Sequence, residues 1–117
     1  MRARIPHPTT YLQVEILGQA VDLQWLPQRL MEDALGRCHT DLQEIHLRDN
    51  LSALQCLDVF LHEIFHYISD AQGLELTEQQ VQVLGRAWAQ LFQANTELLG
   101  FIAERTEEED ERRITRD

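Results

Sequence analysis

Apolar positions along the chain repeat with two different periods. Tyr11-Leu12-Gln13-Val14-Glu15-Ile16-Leu17 alternates apolar and polar, as does Ala20 to Trp25, and Gly18-Gln19 between them has turn composition. Alternation of period two marks a half-buried strand, so a β-hairpin is expected. Pro27 ends it, Gln28 to Leu35 has the composition of a short helix, and Gly36 breaks the chain. Between Arg37 and Arg48 a second β signal follows. Ile45 and Leu47 fall on one face and Glu44, His46 and Arg48 on the other, with Asp41 or Asp49-Asn50 as turn residues.

The period then lengthens. Ser52 to Ala71 contains neither Pro nor Gly. At about 100° per residue, its Ala, Leu, Ile, Phe, Tyr and Cys side chains fill one arc. His62 sits in the middle of the opposite arc, with His66 and Gln55 beside it and Asp58, Glu63, Ser69 and Asp70 further out. Val59 is the one apolar intruder. Ser52 serves as N-cap and Gly73 as the stop. Thr77-Glu78-Gln79-Gln80 is a capping box that opens a second helix, ending near Asn95. Its apolar residues Val81, Val83, Leu84, Ala87, Trp88, Leu91 and Phe92 are expected to bury on the sheet or on the first helix. Glu97 to Ala103 reads as a further turn or short helix. Residues 1–9 read as an extended lead-in, because Pro6 and Pro8 block helix. Residues 104–117 hold seven acids and four arginines, the composition of a mobile tail or frayed helix. One domain over 1–103 with a charged tail over 104–117 is expected.

The polar arc of the first long helix carries His62-Glu63-x-x-His66. Four residues of helix stack the two imidazoles on one face, where both can reach one metal ion, usually zinc. The glutamate between them is placed to act on a water held by that ion. No histidine follows His66. A third ligand must then be acidic or come from His7, His39 or His46 upstream. Asp70, four residues beyond His66, and the loop residue Glu75 are acidic candidates. Tyr67 is a candidate oxyanion donor, although its place on the apolar arc favours the core.

Composition narrows the classes. The net charge is −10 and every basic residue is Arg. Non-specific nucleic-acid binding needs a basic footprint and is not expected. No apolar run is long enough to span a membrane. The start of the chain lacks the apolar core of a secretory signal. Cys38 and Cys56 have no metal-ligand spacing, and Cys56 falls on the apolar arc as a buried thiol. The two cysteines fit a reducing, cytoplasmic setting.

Hairpin, second hairpin with the strand Glu44-Ile45-His46-Leu47, then Leu61-His62-Glu63-Ile64-Phe65-His66, then a capped helix ending near Asn95: this order resembles the small zinc metallopeptidase-like proteins of bacteriophages and prophages. These are relatives of the ImmA/IrrE metallopeptidase domain within the zincins. The resemblance covers roughly residues 10–100. It implies an α+β minimal zincin-like fold, with a small antiparallel or mixed sheet packed on the motif helix and a second helix. It also implies a Zn²⁺ cofactor and a peptidase-type site acting on a protein or peptide substrate. Ser69 and Gln72 stand where longer zincin motifs place Gly and a third His. Relatives with a glutamate on the next helix point to Glu78 as third ligand, ahead of Glu75 and Asp70. The expected function is hydrolysis of a peptide bond, with His62, His66 and Glu78 on zinc and Glu63 as base. A strand edge at residues 43–48 is expected to hold the peptide. The alternative is a phage accessory or interaction protein whose zinc is structural or vestigial.

Overall fold

Four strands and four helices make up the computed structural model, which describes residues 11–115. The expected lead-in over residues 1–9 and the last two residues lie outside the described residues. β1 (Tyr11–Ile16) and β2 (Gln19–Leu26) pair antiparallel. Their turn is Leu17-Gly18, one residue earlier than the composition suggested, with φ of 54° and 79°. Two consecutive positive φ values give the turn that matches the right-handed twist of a hairpin. Gly18 adopts its value freely, and Leu17 adopts the left-handed region to complete the turn.

After Pro27 the expected helix is cut to a single turn, α1 (Gln28–Met31). Glu32 at φ 56° reverses the chain there. Met31 is fully buried, so this turn acts as a plug. β3 (Gly36–His39), a single 3-10 turn over Thr40–Leu42, and β4 (Glu44–Arg48) follow. β4 inserts between β2, to which it is parallel, and β3, to which it is antiparallel. The sheet order is β1-β2-β4-β3. Residues 43–48 are therefore not a free edge for a peptide. β4 is hydrogen-bonded on both sides, and the open edges are β1 and β3.

One face of the sheet presents Ile16, Val21, Leu23, Ile45 and Leu47 to α2 (Ala53–Ala71), which answers with Cys56, Val59, Phe60, Ile64, Tyr67 and Ile68. The α2 start is closed reciprocally. Ser52 Oγ accepts from the Gln55 N–H at 3.2 Å, and Gln55 Oε1 accepts from the Ser52 N–H at 3.2 Å. Such a cap is worth about 1 kcal/mol. Gly73, at φ 68°, follows the helix end.

α3 (Glu78–Ala94) opens on the Thr77–Gln80 capping box, as expected. The face it buries agrees with the expected one at Val81 and departs from it further along. Val81, Gly85 and Ala89 are buried, whereas Val83, Trp88 and Leu91 are exposed. Small residues at four-residue spacing let α3 lie close on α2, and that approach selects the stripe over the bulkier one. α4 (Thr96–Thr115) is one continuous helix across the boundary expected at 103. After Gly100 the chain has no Pro or Gly and is rich in Glu and Arg, which sustain a helix even where it is exposed. No helix among the described residues is long and apolar enough to cross a membrane.

Candidate metal centre

α2 fixes the spacing of His62 and His66, whose ring centroids lie 4.8 Å apart and nearly perpendicular. The connection through Gly73 returns the chain antiparallel, and the first residue of α3 is Glu78. Its carboxylate reaches both rings, with Oε1 2.7 Å from His62 Nε2 and Oε2 3.0 Å from His66 Nε2. Both ring nitrogens thus lie within ion-pair distance of the one carboxylate. Glu78 is 65% exposed while the rings are half-buried, so the group opens to solvent on one side.

Two imidazole nitrogens and a carboxylate are a donor set that zinc accepts. The donor atoms of His62, His66 and Glu78 all lie within 4.8 Å of one another. Bonds of about 2.0–2.1 Å in a tetrahedron put donors about 3.4 Å apart. The two contacts of Glu78, at 2.7 and 3.0 Å, are shorter than that by about 0.4–0.7 Å, and its exposed side chain is free to move outward. Among the described residues these three are the only such group.

Glu63 departs from its expected place on the solvent-facing stripe. It is buried, 8% exposed, beneath the start of β3. A Cβ on Gly36 would lie 3.1 Å from Glu63 Cγ, 3.2 Å from its Oε2, and 2.6 Å from Val59 Cγ1. Glycine at 36 thus makes room for the carboxylate. Burial pushes the Glu63 carboxyl above its ordinary range; His62 and His66 pull it down, and Glu78 pushes it further up. In the zinc-free protein, folding then keeps a proton on Glu63 that the unfolded chain has released. Stability from this group is lost as pH rises from about 4.5 through the raised value. With chelator, Glu63→Gln is expected to melt above wild type at about pH 8 and level with it near pH 4. Thermal melts at the two pH values check this, and a difference independent of pH contradicts it.

The other candidates are engaged elsewhere. Asp70 Oδ2 accepts from Thr40 Oγ1 at 2.9 Å. Glu75 is exposed and outside the group. His39 and His46 lie against each other on β3 and β4, with His46 Nε2 3.0 Å from Glu44 Oε1. His7 lies outside the described residues. Tyr67 is fully buried and donates to Gln19 Oε1 at 2.8 Å, a core role. Cys56 is half-buried rather than buried, and Trp25 Nε1 donates to its sulfur at 3.4 Å.

Pattern reading missed the two glycines that shape the site. A Cβ on Gly85 would lie 3.2 Å from the His62 amide nitrogen and 3.3 Å from its Cα. Both are backbone atoms that cannot swing aside. The available signal was a glycine inside an otherwise strong helix, which costs about 1 kcal/mol without a packing reason. Gly85→Ala recovers that propensity but separates α3 from α2, an overpacking cost of about 1–3 kcal/mol. A net loss of stability is expected, with zinc affinity falling further than stability as Glu78 is drawn off the histidines. Zinc titration beside a thermal melt with chelator separates the two effects.

Beside the histidines lies a cleft of about 290 Å³, lined by His62, Glu63, Leu35, Gly36, Asp58, Val59, Gln82 and Arg86. A larger depression of about 440 Å³ lies on another face of α3, at Leu76, Val83 and Leu84, away from the metal group. No family model matches the chain, and no curated protein or solved structure shows significant similarity to it, so the zincin resemblance rests on the residues that suggested it.

Proposed function

We propose that this protein is a zinc-dependent hydrolase of peptide bonds. The observation that supports this best is the convergence of His62 Nε2, His66 Nε2 and the Glu78 carboxylate beside buried Glu63, at the mouth of a cleft. Three protein donors suit a catalytic ion, whereas a structural zinc is closed by four. Zinc held there would polarise a carbonyl and bring the pKa of a water down to about 7.

The chain's own residues then have separate tasks. A Glu63 carboxylate oxygen takes the proton of the attacking water as its oxygen bonds to the peptide carbonyl carbon. Glu63 returns that proton to the amide nitrogen as the C–N bond breaks, leaving a carboxylic acid and an amine. Burial favours the protonated Glu63 that the second transfer requires. The absent side chain at Gly36 leaves the space the Glu63 carboxylate occupies. The free thiols Cys38 and Cys56 fit a reducing, cytoplasmic setting.

One observation favours the second reading, a protein whose zinc serves structure or interaction only. Glu63 is packed beneath Gly36 and must be reached by a water to act. Incubating the zinc-loaded protein with a degenerate peptide mixture, and reading new termini by mass spectrometry, separates the readings. Cleavage that chelator abolishes and zinc restores is expected. Zinc binding without any cleavage would leave the second reading standing.

A further inference from the structure

α3 carries two apolar arcs, and the fold uses one. Val81, Gly85 and Ala89 form the buried stripe against α2. At about 100° per residue, the arc on one side of that stripe carries Gln82 and Arg86, which line the metal cleft. The arc on the other side carries Val83, Leu84, Ala87, Trp88 and Leu91. Val83 is 62% exposed, and Trp88 and Leu91 are 41% exposed. α4 adds Leu98, Phe101 and Ile102, each at least half exposed, on one side of its first two turns.

The shape of the molecule fits an uncovered face. Its radius of gyration is 16.3 Å, with extents of 52 × 36 × 30 Å. A compact domain of this length has about 13 Å. α4 has α3 as its main neighbour. A helix draws most of its stability from burying an apolar stripe, and the α4 stripe is not buried within the described residues.

We propose that a second copy of this chain covers the face, in a two-fold antiparallel pairing of the α3–α4 surfaces. Area supports this occupant. The six exposed side chains offer about 600 Å², which their polar neighbours extend toward the roughly 800 Å² per partner of a standard interface. Self-complementarity is what a two-fold axis demands, since the same patch must serve both copies. Charge selects the direction. Glu107, Glu108, Glu109, Asp110 and Glu111 crowd the far half of α4 in a chain of net charge −10. Parallel pairing sets two such runs side by side, whereas antiparallel pairing about Phe101 sends them apart. It also brings Arg105, which stacks 5.8 Å over Phe101, toward Glu97 of the other copy. The arc with Gln82 and Arg86 stays outside the pairing, so the metal cleft remains open.

Sedimentation equilibrium on the full chain at tens of micromolar tests the pairing. Wild type is expected at twice the 13.7 kDa of one chain. Association is expected to tighten as salt screens the like charge of the copies. Val83→Glu and Phe101→Glu should each weaken the dimer at least tenfold while circular dichroism stays that of wild type; both side chains are exposed in the single chain, so neither substitution disrupts its core. A single-chain mass for wild type would overturn the proposal and leave the face to a protein of another sequence. A dimer indifferent to both substitutions would overturn it too, by placing the contact elsewhere.

Discussion

Glu63→Gln is expected to bind zinc like wild type and to lose about 10²–10⁴-fold in kcat/KM, the usual contribution of a positioned general base. Glutamine keeps the length and shape of the side chain, so it fits the space that Gly36 leaves. It cannot accept a proton at neutral pH, so the attacking water is not activated and the amine is not protonated. Glu63 is outside the group that gathers on the histidines, which is why its replacement spares the metal. Steady-state kinetics on a cleaved peptide, beside zinc analysis of the same sample, checks both halves. Undiminished zinc-dependent cleavage would remove Glu63 as the base.

Glu78→Ala carries the second large effect. Were Glu78 only a first-turn carboxylate favouring the helix dipole, its loss would cost about 0.3–1 kcal/mol and leave zinc affinity intact. Its exposed contacts with the two imidazoles add little in the metal-free protein. As a ligand it behaves differently. Zinc affinity is expected to fall at least about 100-fold, more than the loss of a supporting outer group produces. The stability lost should then depend on zinc, reaching about 2.7 kcal/mol where wild type is held at a hundred times its Kd. Titrations and melts with and without chelator resolve this, with Asp70→Ala and Glu75→Ala alongside. Asp70 is hydrogen-bonded to Thr40 and Glu75 lies in an exposed loop, so both should bind zinc as wild type does. An unchanged affinity in Glu78→Ala with a collapse in either of the others would transfer the role.

The parts of this fold legible in the sequence are those set by local pattern. Period-two alternation located β1, β2 and β4, and capping chemistry located the starts of α2 and α3 to the residue. His62 and His66 share a face because helix geometry alone decides it. What escaped depends on packing between distant segments. β4 reads as an ordinary strand, and nothing local says that it inserts beside β2 rather than lying at the edge. Glu63 reads as polar stripe, yet β3 crosses above it because residue 36 has no side chain. The apolar content of α3 suggested that its large residues face the core. The fold buries Val81 as expected but continues that stripe through Gly85 and Ala89 rather than the larger residues, because at Gly85 the backbone of α2 comes too close for a side chain. Glu78 lay within reach of either role from sequence; the return path of the chain through Gly73 sets its carboxylate between the two rings.

The central claim is that His62, His66 and Glu78 together hold one zinc ion. Elemental analysis after exhaustive dialysis of the zinc-loaded protein tests it most directly. About one zinc per chain is expected for wild type, and close to none for His62→Ala and for His66→Ala. Equal zinc in all three proteins would contradict the site.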